Sequence, residues 1–129
     1  MARIERFQDL EAWTKARELT KKVYEISSKE PFNRDFALCN QIRRAVISIV
    51  SNIAEGFGRD GDKEFVQFLS VAKGSCFEVY AQIYVALDQN YIDEKGFEEI
   101  AEQIEEVSRI IGGLMKYLHQ SDLKGNKFR

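Results

Sequence analysis

At 129 residues, the chain has the length of one domain and can bury a hydrophobic core without the help of metals or disulfides. Its apolar content of 44% and charged content of 31% are those of a globular protein, and its single proline favours helix over sheet. The net charge of −2 argues against the strongly basic surface of a dedicated DNA-binding protein.

Two further features bound the class of protein. No apolar stretch approaches the roughly 20 residues that a membrane-spanning helix needs, and the first residues lack the apolar centre of a signal peptide. We therefore expect a cytoplasmic protein with no membrane partner. In a reducing compartment, Cys39 and Cys76 are expected to stay reduced as small core residues, because their spacing does not match a metal-binding motif.

The first helix is predicted over residues 9–28, with Asp9 as its N-cap. Apolar residues spaced by three and four positions form one stripe along it: Ala12, Ala16, Leu19, Val23 and Ile26. Leu10, Trp13 and Tyr24 form a flanking stripe, which predicts contacts with more than one neighbour. The segment around Pro31 then interrupts the helical pattern.

The second helix is predicted over residues 34–55, closed by Gly56 as a C-cap. One apolar seam runs along it: Cys39, Ile42, Val46, Ile49 and Ile53. Further apolar residues widen this seam to an arc of roughly 200°, which predicts burial on two sides. The remaining surface is a narrow polar stripe at helical spacing: Gln41, Arg44, Ser48, Asn52 and Glu55.

Two more helices are predicted over residues 62–89 and 94–118, each with a seam of the same spacing. The third-helix seam comprises Phe65, Leu69, Ala72, Cys76, Val79, Ile83 and Ala86. The fourth-helix seam comprises Phe97, Ile100, Ile104, Val107, Ile111, Leu114 and Leu118. Asp93 is positioned to cap the fourth helix. Gly112 and Gly113 mark either a close helix approach or early fraying.

Short connections predict that successive helices are antiparallel, so that residues 1–120 form an all-α, up-down-up-down four-helix bundle. Residues 121–129 are predicted to be a basic, flexible tail. If the second and third helices fold back about residue 59, Cys39 lies near the level of Cys76. Because one four-helix core cannot cover the wide arc on the second helix, we also expect the bundle to be a subunit of a symmetric assembly.

The sequence contains no recognisable catalytic site, cofactor site or metal site. A di-iron centre in such a bundle needs Glu-x-x-His pairs on two helices, and the chain has one histidine, His119, near its end. Serine- or cysteine-based catalysis would depend on the same residue. We therefore expect a protein that is not an enzyme and that binds no cofactor.

Arg43 and Arg44 are unusual because they lie in the most apolar helix, where an unpaired cation is costly. One hypothesis pairs one of them with Glu55, or with Glu78 on the facing third helix. The other makes them part of a surface that contacts nucleic-acid phosphates. That surface would comprise Lys21, Lys22, Lys29, Arg34, Arg43 and Arg44.

The fourth helix is acidic, since residues 88–108 contain eight acidic residues and one basic residue. This pattern is typical of a solvated helix face, and a surface for a cation or a basic protein partner is the alternative.

Several motifs together resemble one known family. They are FxxLxxW from Phe7 to Trp13, QIRRA from Gln41 to Ala45, SIVSNIAEG from Ser48 to Gly56, and FxxFLxxAxGSxxE from Phe65 to Glu78. The chain resembles the 23S rRNA intervening-sequence proteins, also called the S23 or four-helix-bundle protein family. The SxxxNIAEG run is the most specific of these motifs, and the resemblance spans nearly the whole chain.

The resemblance implies an antiparallel four-helix bundle that assembles into a ring-shaped homopentamer. It also implies kinship with the accessory variability protein of diversity-generating retroelements, which binds nucleic acid and a reverse transcriptase. It implies no enzyme. The family's motif positions in this chain are Gln41, Arg44, Ser48, Asn52, Glu55 and Glu78, with a role that is more structural than catalytic.

Two functions are compatible with these observations. The first is an oligomeric, non-enzymatic module that binds RNA or a nucleic-acid enzyme such as a reverse transcriptase. The second is a protein interaction scaffold, without a nucleic-acid role, whose acidic fourth helix binds a basic partner.

Overall fold

A computed structural model describes residues 4–125 of the chain. It contains four α-helices, α1 (Glu11–Ser27), α2 (Phe36–Phe57), α3 (Asp62–Asp88) and α4 (Glu94–Gly125). Short 3₁₀ turns precede α1 (Phe7–Asp9) and α2 (Phe32–Arg34), and no β-strand occurs between residues 4 and 125. The all-helical prediction is confirmed.

The four helices pack side by side, as the short connections predicted. Helices α1 and α3 each contact both α2 and α4. Side-chain contacts set the antiparallel order: Ser75 of α3 meets Ser48 of α2, and Tyr80 of α3 meets Glu105 of α4. The result is an antiparallel bundle with a single hydrophobic core.

The predicted apolar seams form that core. Every seam residue of α1, α2 and α3 is buried, and α4 contributes Ile100, Ile104, Val107, Ile111 and Leu118, with Phe97 and Leu114 half-buried. Spacing by three and four residues brings such positions onto one face of a helix, so the core was readable from periodicity.

The wide apolar arc of α2 is mostly covered within the bundle, so the predicted burial on two sides is confirmed, and the expectation that one bundle cannot cover the arc is wrong. Leu38 and Ala45 are buried, and Val50 and Ala54 are half-buried. Ile47 is the residue of the arc that remains exposed to solvent, with an exposed fraction of 43%. Helices α1 and α3 both pack on α2, so two neighbours cover what one core face could not.

Helix ends differ from the predicted ones for local reasons. Asp9 does not cap α1, because the chain makes a 3₁₀ turn there and Leu10 takes the N-cap position. Gly56 does not end α2, which continues to Phe57 with Gly58 as the C-cap. Asp93 does cap α4, since its Oδ1 accepts a hydrogen bond from the Gly96 N–H at 2.7 Å.

The C-terminal part of the chain also differs. Helix α4 continues to Gly125, beyond its predicted end at residue 118, and residues 126–129 of the predicted basic tail lie outside the described part. Gly112 and Gly113 therefore do not mark fraying. Gly112 lies against α3, because a Cβ there would come within 3.3 Å of the Lys73 Nζ.

One end of the bundle is closed by the connections α1–α2 and α3–α4. The Phe32 side chain is fully buried, and its ring stacks on Tyr91 with centroids 5.2 Å apart. The Tyr91 hydroxyl donates to the Asp35 Oδ2 at 2.9 Å, and the Asp35 Oδ1 accepts from the Leu38 N–H at 3.0 Å. Asp35 thus caps α2 and ties it to the α3–α4 connection.

Cys39 and Cys76 are buried free thiols at different levels of the bundle. Since Ser48 faces Ser75, Cys39 is level with Tyr84 and lies about two helical turns from Cys76. The predicted common level was wrong, because α2 continues past Glu55 before the chain turns. Burial raises the pKa of Cys76 to about 12, so this thiol stays neutral at physiological pH.

No helix between residues 4 and 125 combines the length and the apolar character that crossing a lipid bilayer requires.

Candidate functional site

Arg43 is held by α1 and not by a carboxylate. Its Nε donates to the Ser27 Oγ at 2.9 Å, and its Nη2 donates to the Ser28 Oγ at 3.2 Å. The guanidinium also lies over the Tyr24 ring, 4.7 Å from the centroid. The ion pair with Glu55 or Glu78 that was expected for one of the two arginines is therefore not formed by Arg43, because this side chain points toward α1.

Arg44 lies about 100° further round α2 and is exposed. It has no ion-pair or hydrogen-bond partner in the part of the chain that the structure describes. Glu55 instead accepts from the Arg59 Nη2 at 2.9 Å, and Glu78 is exposed on α3. Neither alternative partner thus meets Arg44, whose charge remains open to solvent.

The six candidate cations do not form one cluster. Lys22 and Lys29 line a cavity of about 220 Å³ beside the α3–α4 connection. The Arg34 Nη2 pairs with the Glu30 Oε1 at 3.1 Å. Arg44 lies on the α3 side of α2, whereas Lys21 lies on the outer face of α1.

A different grouping emerges along that outer face. Residues 13, 17, 21 and 24 follow one another by three and four positions, so they share one side of α1. The Arg17 guanidinium lies 5.6 Å from the Trp13 ring centroid, and Arg43 covers Tyr24 from α2. We call this surface the α1 ridge; it comprises Trp13, Arg17, Lys21, Tyr24 and Arg43.

In the α1 ridge, the rings of Trp13 and Tyr24 flank the cations Arg17 and Lys21, and Tyr24 is 37% exposed. Sequence reasoning placed Trp13 and Tyr24 in a flanking apolar stripe and did not include Arg17. The missed signal was the regular spacing of basic residues between the two aromatic residues. Cations over rings are stabilised by the ring quadrupole, which keeps both groups ordered at the surface.

The motif residues of α2 form a separate polar contact with α3. The Ser75 hydroxyl, 4% exposed, donates to the Ser48 Oγ at 2.8 Å. The Asn52 Nδ2 donates to the same oxygen at 3.0 Å and to the Ser48 carbonyl at 2.8 Å. Gln41 is exposed further along the stripe. The centre of the motif thus joins two helices through hydroxyl and amide groups.

We predict that Ser48→Ala lowers the free energy of unfolding by about 1–3 kcal/mol, because it leaves the buried Ser75 hydroxyl without its partner. Ser75→Ala should cost less, since the half-buried Ser48 keeps its bond to Asn52. Urea unfolding of both single variants and the double variant measures the coupling. Strictly additive effects would show that the two hydroxyls do not depend on each other.

The acidic face of α4 is only partly neutralised. Glu105 accepts from the Tyr80 hydroxyl at 2.7 Å, and Glu106 lies 3.8 Å from the Lys15 Nζ. Glu98, Glu99 and Glu102 are exposed and have no hydrogen-bond or ion-pair partner within residues 4–125. In the part of the chain that the structure describes, no group of three or more His, Cys, Asp or Glu side chains could hold a metal ion.

Comparisons with known proteins agree with this architecture. A solved structure from Bacteroides thetaiotaomicron, a protein of unknown function from the S23 ribosomal protein family, superposes with a TM-score of 0.74. It is 21% identical and covers 81% of this chain and 98% of its own, which shows a shared fold. No protein with a curated description matches the sequence.

The sequence model of one family, described as 23S rRNA-intervening sequence protein, matches residues 8–113. That range runs from the turn before α1 into the second half of α4, so it includes the α1 ridge and the Ser48–Ser75 contact. The chain therefore belongs to the 23S rRNA-intervening sequence protein family.

Proposed function

We propose that this protein is a non-enzymatic binding module that self-associates and whose ligand is RNA. The observation that carries the proposal is the α1 ridge, where two aromatic rings lie beside three cations. Unpaired RNA bases stack on aromatic rings and guanidinium planes, and neighbouring cations contact the phosphates. The ridge offers both kinds of group on one face of α1, with Arg43 added from α2.

The expected interaction energies predict weak RNA binding by each single chain. Stacking on one aromatic ring contributes about 1–3 kcal/mol per base. Three cations on a chain of net charge −2 give weak attraction for phosphates. A single chain would therefore bind RNA weakly, and several copies on one assembly would raise the avidity without any new contact.

Self-association has its own support on α2 and α3. Large apolar side chains are exposed there: Phe36, Ile47, Val71 and Val85. Val71 and Val85 are fourteen positions apart, so they share one outer face of α3. The proposed assembly is a ring-shaped homo-oligomer, with five subunits as the family resemblance implies. Light scattering should give a multiple of the 14.9 kDa chain mass, and Val71→Glu with Val85→Glu should reduce it to one chain.

The RNA site is tested by fluorescence anisotropy with a labelled single-stranded RNA at about 50 and 200 mM salt. Arg17→Ala with Lys21→Ala should weaken binding and make its salt dependence shallower, by about 0.7 in the log–log slope for each phosphate that the variant no longer neutralises. Lys63→Ala with Lys95→Ala is the matched control, because it removes the same charge from positions outside the ridge.

Trp13 provides a second readout, because it is the single tryptophan of the chain. RNA that stacks on the α1 ridge should quench Trp13 fluorescence in the unmodified protein and in the control variant. Lack of RNA binding at low salt, or equally weakened binding in the ridge and control variants, would contradict the RNA proposal. An Arg43→Ala variant with a lower melting temperature and unchanged affinity would remove Arg43 from the site.

The second candidate function is a scaffold that binds a basic protein through α4. The three unpartnered carboxylates of Glu98, Glu99 and Glu102 favour it, because they lie on consecutive turns of one exposed face. Such a protein would bind a lysine-rich peptide at low salt and would not bind RNA. Glu98→Gln with Glu102→Gln should abolish that binding while leaving the α1 ridge intact.

A further inference from the structure

A cavity of about 440 Å³ opens between α3 and α4, on the side of the bundle away from α2. Its volume lies in the range of small-molecule binding pockets. Cys76 and Ile104, each 1% exposed, lie at its floor, and the rings of Phe77 and Tyr80 line its wall. The interior is therefore largely apolar, although it opens to solvent.

Two cations lie at one end of this cavity. The Lys73 side chain is half-buried and crosses α4 at Gly112, where a Cβ would lie 3.3 Å from its Nζ. Arg109 lies one turn before Gly112 and also lines the cavity. Within residues 4–125, neither side chain has a hydrogen-bond acceptor or a carboxylate partner. A partly desolvated ammonium without an acceptor is costly, so this end of the cavity favours an anion.

The rest of the lining does not cancel that charge. Glu105 is the cavity's one carboxylate in the described part of the chain, and its Oε2 already accepts the Tyr80 hydroxyl at 2.7 Å. Burial holds the Cys76 thiol in its neutral form, with a pKa of about 12. The cavity thus combines a neutral, apolar floor with a cationic end of net charge +1 across Lys73, Arg109 and Glu105.

We propose that this cavity binds a small amphipathic anion, a molecule with one carboxylate on an apolar chain. The carboxylate meets Lys73 and Arg109, and the chain covers Cys76, Ile104 and Phe77. Each part of the ligand matches one part of the lining. The carboxylate forms charge-assisted hydrogen bonds at the cationic end, and the apolar chain is removed from contact with water at the floor. The site is separate from the α1 ridge and does not depend on RNA binding.

Octanoate is a suitable probe, because it has one carboxylate and a short unbranched chain. Titration into the ¹⁵N-labelled protein should shift amide signals of α3 and α4 around Lys73, Cys76 and Gly112, with saturation at a Kd of about 1 mM or lower. Octanol has the apolar chain but no carboxylate, so it tests the contribution of the charge. Acetate has the carboxylate but no apolar chain, so it tests the contribution of the apolar contacts. Each should bind at least about tenfold more weakly than octanoate, since each lacks one of the two contacts.

Lys73→Met removes the ammonium while keeping an unbranched side chain, and it should raise the Kd for octanoate about tenfold or more. Lys95→Met is the matched control, because Lys95 is exposed on α4 outside the cavity. It should leave the Kd unchanged. The proposal is overturned if octanoate does not saturate, if its shifts map away from α3 and α4, or if the two variants weaken binding equally.

Discussion

Replacing Phe32 by alanine should lower the free energy of unfolding by about 3–5 kcal/mol. Phe32 has 0% exposure although it lies in the turn between α1 and α2. Its ring stacks on Tyr91 and fills the space where the two connections meet at one end of the bundle. Truncation would remove the buried ring and leave a cavity that rigid helix ends cannot close.

Urea unfolding monitored by circular dichroism measures this effect. Tyr117→Ala is the control, because it truncates an aromatic ring of similar size on α4 at a side chain that is 52% exposed. That variant should change the free energy of unfolding by no more than about 0.5 kcal/mol. Similar destabilisation of the two variants would show that the turn does not contribute to the core.

Gly56→Ala should lower the free energy of unfolding by about 1–3 kcal/mol, although alanine is the better helix former. A Cβ on Gly56 would lie 2.7 Å from the Phe68 Cβ and 2.9 Å from the Phe65 Cδ1. The Phe68 Cβ is fixed to the backbone of α3, so the helices would have to move apart. Close approach of α2 and α3 is the physical reason for glycine at this position.

Gly113→Ala provides the comparison for this prediction. Nothing lies within 4 Å of a Cβ at that position of α4, so the substitution should stabilise the protein by about 0.5–1 kcal/mol through helix propensity alone. Differential scanning calorimetry should show opposite shifts of the melting temperature in the two variants. A melting temperature of Gly56→Ala at or above that of the unmodified protein would contradict the close-approach argument.

The helices and their core could be predicted because both follow from local rules. Spacing by three and four residues identifies the buried face of each helix, and the predicted cap at Asp93 is present, whereas the one predicted at Asp9 is not. Phe32 could not be found in this way. It follows Pro31 in a segment without helical periodicity, and its burial depends on Tyr91, which is distant in the sequence.

Contacts between helices were the least predictable. The role of Gly56 depends on the position of Phe68 on the next helix, and a glycine at a helix end is more often a cap. One of Arg43 and Arg44 was expected to pair with a carboxylate on grounds of charge, but the Arg43 guanidinium donates to the hydroxyls of Ser27 and Ser28. The direction of the Arg43 side chain around α2 decides its partners. That direction could not be predicted without knowing where α1 and α3 lie relative to α2.

The candidate RNA surface was predicted in composition but not in arrangement. Basic residues of α1 and early α2 were grouped by their closeness in the sequence, whereas helical geometry separates Lys21 from Lys22 by about 100°. The α1 ridge instead joins residues three and four positions apart, together with one arginine from α2. Its aromatic members were visible in the sequence, but their pairing with cations required the structure.

The hydroxyl contact between Ser48 and Ser75 has a consequence for how the chain avoids misfolding. If α3 slid along α2 by four residues, Ser48 would face Val71 or Val79 and Ser75 would face Arg44 or Asn52, so the bond between the two hydroxyls would be lost. Such a slipped hairpin would be less stable by about 1–3 kcal/mol for a buried hydroxyl left unpaired. The two serines therefore favour the native alignment of α2 and α3 over a neighbouring one.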